Sequence, residues 1–536
     1  MDKKKIMNTM LQLVKEPGIS GTESENLTVD KVYSLLKQIP YFNKNANYVE
    51  KVHIKKDTLN RKFVSAFYKS KTNTKKTIIL TGHTDVVGVE EFGKLKKYAF
   101  DPIEYTKIVE EEVNLDEESL MDLKTGDWLF GRGVADMKFG LALEIELLRK
   151  LTKLDDLNGN ILFLAVPSEE SNSEGMLEAV SYLAEKKEKF GLIYEGVLLP
   201  EPFMYSDDND TKYIHLGSCG KIMPMLFFVG KETHVGSPFS GLSSNLMASE
   251  FNRLFEMNTE FCDHDEEITP PPMCLKLKDL KELYSVQTPL FTVAYYNMIT
   301  LNNESKIDKI KDISKKAFKN CLEMVNENYN NYSKFTLVKK NKLKVESCVK
   351  TFNELYEEVK KIKRNEIDDL INKKIEAWRN SGDDYQTIAI KTVKEIYNNY
   401  TNKRPMIIIS FIPPYYPKKE LNNNKFIENL ERTIKYGELN FNVSIKKSKY
   451  FMGICDLSYT GSIDGEKLYS IYNNIPFGEK YYNFPIEDLK KLNIPGIIFG
   501  PYGKDLHKNT ERINIPYSFE VLPKLYEYLI YDIFKN

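Results

Sequence analysis

Over its first two hundred residues the chain alternates continuous apolar runs with segments of helical period. TIIL (77–80) runs directly into HTDVV, a helical pattern opens at Met137, and ILFLAV (161–166) is again wholly apolar. A strand covered on both faces reads as an unbroken apolar run, and strands that alternate with helices build a parallel layer. The pattern therefore predicts an α/β fold, a mixed and mostly parallel sheet flanked by helices, from Met1 to about Tyr213. Ligands of such sheets gather beyond the carboxyl ends of the strands.

The pattern changes between about residues 214 and 401. KIMPMLFFVG and FTVAYYNMIT read as strands, and long stretches rich in Lys, Glu and Asn follow. Within the last of these, Phe352, Leu355, Val359, Ile362, Leu370, Ile371, Ile375 and Trp378 recur at near-helical spacing, which predicts a core stripe under a solvated face. From MIIISFIPPYYP onward the α/β character returns, with NIPGIIFGPYG near the end and a last helix from about Phe519. The simplest organisation is a discontinuous α/β domain, 1–213 and 402–536, interrupted by an inserted α+β domain, 214–401.

At 536 residues the chain exceeds what one core usually serves, in keeping with two domains. Its 76 Lys and Arg nearly cancel 77 Asp and Glu, so no overall field would draw it to nucleic acid or to an anionic membrane. No run of about 18 uncharged apolar residues suggests a membrane span, and the N-terminal stretch lacks the apolar core of a signal peptide. The six cysteines are scattered without a C-x-x-C pair, which suits reduced, buried thiols. A cytoplasmic location is expected.

The candidate chemistry lies where apolar runs end. His83, one of only six histidines, follows TIIL within TGHTDVVGVEEFG, with Asp85 two residues on. A neutral imidazole there can ligate zinc while a nearby carboxylate fixes its tautomer, or it can be a satisfied structural histidine. Asp136 in FGRGVADMKFG stands between a glycine-rich turn and a helix, either as an N-cap or as a carboxylate able to bridge two cations. ILFLAVPSEESNSEG ends in adjacent acids, Glu169 and Glu170. They repel unless a cation or shared proton relieves them, although the first turn of a helix also favours acids. Glu201 follows the apolar run in VLLPEPF, and His507 and Glu511 in GPYGKDLHKNTER would share a face if that segment were helical.

In combination these motifs resemble the co-catalytic zinc metallopeptidases and amidohydrolases related to aminoacylase, succinyl-diaminopimelate desuccinylase and carboxypeptidase G. GTESE, GHTDVVGVEEFG, GRGVADMK, PSEES, TPPPMCLKLKDLKELYSVQTP, PPYYP, DLSYTG and GPYGKDLHKNTER resemble most the arginine-utilisation, RocB-like branch, across nearly the whole chain. The resemblance implies a dinuclear metallopeptidase or amidohydrolase with two divalent cations. His83, Asp136, Glu170, Glu201 and His507 are the implied ligands, with Asp136 bridging, and Asp85 orients His83. Glu169 is the implied general base for a water shared by the cations, which attacks an amide or peptide bond of a small substrate. Two histidines among carboxylates suit zinc and would admit cobalt or manganese.

The inserted region is the implied lid, a site of homodimer contact in the family. His234 in KETHVGSPFSGLSSN resembles the lid histidine that stabilises the oxyanion, while His53, His215 and His264 are read as structural. The usual D-x-K-G-G stands here as Asp136-Met137-Lys138-Phe139-Gly140. No equivalent of the lid arginine that grips a substrate carboxylate is evident, and Tyr295, Tyr296 and Asn297 lie near its expected place. The expected substrate is an N-acyl amino acid, a dipeptide or an arginine-related amide. The alternative is a binding or regulatory protein that kept the fold without catalysis.

Overall fold

The computed structural model describes residues 1–203, 211–302, 306–336, 343–461 and 465–535. By contact the chain divides into two units. The first is Met1–Ser218, Lys419–Ile463 and Pro485–Asn536, and the second is Cys219–Lys418 with Asp464–Phe484.

The first unit is built on an eight-stranded sheet. Its strands, numbered in chain order, are β1 (Val49–His53), β2 (Lys62–Tyr68), β3 (Lys76–His83), β4 (Asn160–Val166), β5 (Ile193–Leu199), β6 (Thr211–His215), β7 (Ser444–Ser448) and β8 (Gly496–Ile498). They lie in the order β1-β2-β4-β3-β5-β8-β6-β7. The centre is parallel: β4 with β3, β3 with β5, and β5 with β8. Antiparallel β1 and β2 close one side. This is the mixed, mostly parallel α/β layer expected from the run pattern, and β3 and β4 are buried along nearly their whole length. Because β4, β3, β5 and β8 run the same way, the segments that follow them emerge at one edge of the sheet.

Helices Lys3–Val14, Lys138–Leu151 and Leu522–Lys535 contribute Leu13, Leu141, Leu148, Leu529 and Ile533 to the core. Glu144 is fully buried with them, and burial pushes its carboxyl pKa well above the usual range. Unfolded, it would ionise near its ordinary pKa of about 4.3, so above about pH 5 the folded state holds one proton more. That contribution to stability is fully present below pH 4 and declines, by up to about 1.4 kcal/mol per pH unit, towards the folded pKa. Glu144→Gln is expected to flatten this decline, read as denaturant midpoints at pH 5.5 and 7.5. A variant as steeply pH-dependent as the parent would refute the assignment.

The second unit carries a six-stranded sheet in which Met273–Asp279, Phe291–Thr300, Pro224–Val229, Met406–Phe411 and Val349–Thr351 follow in that order, and Gly220–Ile222 pairs with Phe291–Thr300. Met406–Phe411 is antiparallel to Pro224–Val229 and belongs to this sheet. The contact boundary therefore falls at 418/419, later than the 401/402 expected from the return of apolar runs. Asp464–Phe484 joins the same unit, where Phe411 N–H donates to the Asn474 carbonyl and Asn353 N–H to its side chain.

The apolar stripe from Phe352 spans two helices, Phe352–Lys363 and Asn365–Asn380, separated by Arg364 at φ 52°. Phe352, Leu355, Val359, Ile371 and Ile375 are buried, but Ile362 is 59% exposed and Ile367 is buried instead. A break of the helix at Arg364 restarts the 3.6-residue register, which a single continuous stripe did not anticipate. All six cysteines are free thiols, five of them buried. Among the described residues no helix is long and apolar enough to cross a membrane.

Candidate metal centre

The parallel strands place the sequence candidates at their carboxyl ends. His83 is the last residue of β3, Glu169 and Glu170 follow β4, Glu201 follows β5, and His507 lies in the segment after β8. Asp136 comes from outside the sheet, just before the helix Lys138–Leu151. It does not cap that helix, whose N-cap is Met137 with no side-chain cap bond. Its two carboxylate oxygens point to different histidines: Oδ1 is 3.0 Å from His83 Nε2, and Oδ2 is 3.1 Å from His507 Nε2.

Three groups of side chains among the described residues could hold a cation: His83 with Glu169 and Glu170, and two triads that share that carboxylate. His83, Asp136 and Glu201 form one, and Asp136, Glu170 and His507 the other, with donor atoms in each within 4.8 Å of one another. Glu201 Oε1 is 3.3 Å from His83 Nε2, and Glu170 Oε1 is 2.9 Å from His507 Nε2. His83 and Glu201 are buried, whereas the His507 side chain is 49% exposed, so the second triad opens to solvent.

Local structure orients each group. His83 Nδ1 lies 3.0 Å from the main-chain carbonyl of Asp85, and since a carbonyl only accepts, Nδ1 donates, so that in the neutral imidazole Nε2 would be the nitrogen left to hold a cation. The Asp85 carboxylate stands 3.7 Å from that ring and instead accepts the N–H groups of Glu169 and Glu170, each at 3.1 Å. Asp85 thus acts on the histidine through its backbone and on the acidic turn through its side chain. That turn precedes the helix beginning at Glu174, so the two acids are not in a first helical turn.

Close backbone packing constrains Glu201. A Cβ on Gly500 would stand 1.9 Å from the Glu201 carbonyl oxygen, and one on Gly140 2.9 Å from the Pro200 carbonyl. Of the two glycines usual after the lysine, Gly140 is the one this packing demands. Phe139 turns into the core, edge-to-face on Phe519 at 4.7 Å.

The electrostatics describe a cluster short of positive charge. Burial raises the Glu169 pKa well above the usual range, and Glu170, Glu201 and Asp456 raise it further against the pull of His83. Burial raises Glu201 to about 7, opposed by His83, and raises Glu170 together with Asp136. Burial alone would depress both imidazoles. Glu201 and Asp136 override it at His83, and Asp136 and Glu170 lift His507 to about 11. Asp136 is held below the ordinary carboxylate range, its bonds to His507 and His83 outweighing its burial. Six buried or nearly buried acids, Asp85 among them, surround two imidazoles, and protons must supply the balance unless cations do. Two divalent cations in the triads, with Asp136 between them, fit this donor set.

Two neighbours of the cluster carried no assigned role in the sequence. Asp456, in DLSYTG, is 1% exposed, and burial together with Glu201 and Asp85 lifts it to about 8 despite His83. Arg132, in GRGVADMK, is equally buried. A single acid or arginine between apolar residues carries no periodic signal, and only membership of a quoted motif marked them. His234 lies in the second unit, exposed, with Nδ1 accepting the Gly236 N–H at 3.0 Å. Tyr296 is buried there, its hydroxyl 3.0 Å from Asn252 Oδ1.

Comparison with known proteins agrees with this architecture. The profile of peptidase family M20/M25/M40 matches residues 79–532, most of the chain. The chain belongs to this family. Membership makes it a hydrolase. It is 35% identical over 544 residues to the protein YqjN of Bacillus subtilis (strain 168), covering 100% of this chain and 97% of that one. It is 31% identical over 530 residues to the protein RocB of the same organism, covering 96% and 92%. Among solved structures, a tripeptidase from Staphylococcus aureus has the same fold, with a TM-score of 0.54 at 13% identity over the full length of both chains. The RocB-like resemblance of the motifs thus extends over 96% of the chain.

Proposed function

We propose that the chain is a two-cation hydrolase that cleaves an amide or peptide bond in a small substrate, with Glu169 as general base. The observation that carries this reading is the Asp136 carboxylate, one oxygen on His83 and the other on His507, with Glu201 and Glu170 completing the two triads. Divalent cations, with zinc suited to this donor set, would acidify the attacking water and polarise the scissile carbonyl. Glu169, buried beside the triads, takes the proton from that water and returns it to the departing nitrogen. Asp85 keeps Glu169 and Glu170 in place through their main-chain N–H groups. His234 is assigned to the developing oxyanion by its motif.

Substrates in keeping with the family are N-acyl amino acids and dipeptides, and the likeness to RocB adds arginine-related amides. The test is a hydrolysis screen over these three groups with zinc-, cobalt- and manganese-loaded protein, using Glu169→Ala as the blank. Release of amine above the blank supports the reading. Cation binding without turnover of any of them would favour a binding protein that kept the fold. Free thiols throughout are in keeping with a cytoplasmic setting.

Association of two copies through the second unit is part of the proposal. Met273, Leu275 and Leu277 are exposed on its edge strand, and Leu283 and Tyr284 on the following loop are 82% and 93% exposed. Contiguous exposed apolar side chains mark interaction surfaces. Light scattering at micromolar concentration is expected to give a dimer, and Leu277→Asp with Tyr284→Asp a monomer with unchanged metal content. A monomeric parent protein would remove this part of the account.

A further inference from the structure

Arg132 and Glu511 form a buried ion pair that touches the main chain of two implied cation ligands. Arg132 Nη1 donates to Glu511 Oε2 at 2.6 Å, and Nη2 to the His507 carbonyl at 3.1 Å. Nη2 also pairs with Glu91. The other Glu511 oxygen, Oε1, accepts the N–H groups of Ala135 and Asp136, each at 3.4 Å, and the Glu511 carbonyl accepts the Gly131 N–H at 3.0 Å. The side chains are 1% and 0% exposed. His507 and Glu511 are not on one helical face. The segment between them is a turn, and His507 sits at φ 67°, a left-handed conformation a histidine holds only when its surroundings fix it.

We propose that Arg132 and Glu511 are a positioning pair for the second cation site. Arg132 fixes the strained backbone of His507, and Glu511 fixes the backbone of the bridging Asp136. One guanidinium thereby sets the distance between two ligands that are 371 residues apart in sequence. The first site shares Asp136 but takes its other two ligands from the end of β3 and the segment after β5, so it depends on the pair less. The planar fork of arginine suits the task, since one end must meet a carboxylate while the other reaches a carbonyl, and the point charge of lysine cannot serve both.

The inference rests on the two-cation reading, and its test separates the two. Zinc titration against a chromophoric chelator is run on the full-length protein, with Arg132→Met, Arg132→Lys and Glu511→Gln alongside the parent. Loss of a group that orients a metal ligand costs about tenfold to a hundredfold in affinity. Arg132→Met and Glu511→Gln are expected to weaken the second zinc by that factor and leave the first within about twofold. They then hold one zinc at a free concentration where the parent holds two. Arg132→Lys is expected to fall between. A pair that served the fold alone would lower the unfolding temperature of the metal-free protein and leave both zinc affinities unchanged, and that result overturns the proposal. If Arg132→Met fails to fold, Glu511→Gln decides by the same criterion. A parent protein that binds fewer than two zinc ions refutes the two-cation reading itself.

Discussion

Replacing Glu169 with glutamine is expected to lower turnover by about two orders of magnitude or more while both cations stay bound. The amide keeps the size of the side chain but cannot accept the proton of the attacking water. Glu169 is buried beside His83 and Glu170, and its N–H bond to Asp85, which holds the turn, comes from the backbone and survives the substitution. The metal content of the variant matters as much as its rate, because Glu169 also forms a possible ligand group with His83 and Glu170. Two cations retained with turnover lost identifies a proton carrier. Loss of a cation together with turnover would make Glu169 a ligand, and near-normal turnover would remove it from the reaction.

A larger effect is expected from Asp136→Ala. Each oxygen of Asp136 faces a different histidine, so its removal strips one ligand from both triads at once. It also removes the carboxylate that offsets repulsion between two cations and leaves His83 and His507 without their shared partner. The loss of affinity should exceed the ~100-fold that follows loss of a merely orienting partner, at both sites together. A cation that binds only the folded state stabilises it, by about 2.7 kcal/mol at a hundredfold excess over Kd. The variant should therefore lose the zinc-dependent rise in unfolding temperature that the parent shows. Retention of one tightly bound cation would mean that Asp136 serves a single site.

Much of this centre was legible in the sequence because it depends on strand ends. Apolar runs fixed β3, β4 and β5, and in parallel strands the residues after them must meet at one edge, which brings His83, Glu169, Glu170 and Glu201 together. The position of Asp136 left two readings open, since a residue before a helix is as readily a cap as a ligand. The structure removes the cap, since Met137 holds that position, and turns the carboxylate between His83 and His507. His507 and Glu511 show the limit of spacing arguments: four residues apart suggests one helical face, but the segment turns and sends Glu511 to Arg132. The second unit was harder to delimit for a related reason. Met406–Phe411 has the composition of any buried strand, and nothing in such a run says which of two sheets will take it.

The central claim is that this chain holds two cations around Asp136. It is tested most directly by the metal content of the parent protein and Asp136→Ala, loaded with zinc, dialysed to a fixed free concentration and analysed by mass spectrometry of the metal. The account predicts two zinc ions per parent chain and essentially none in the variant. One ion or none in the folded parent, or two in the variant, would contradict it.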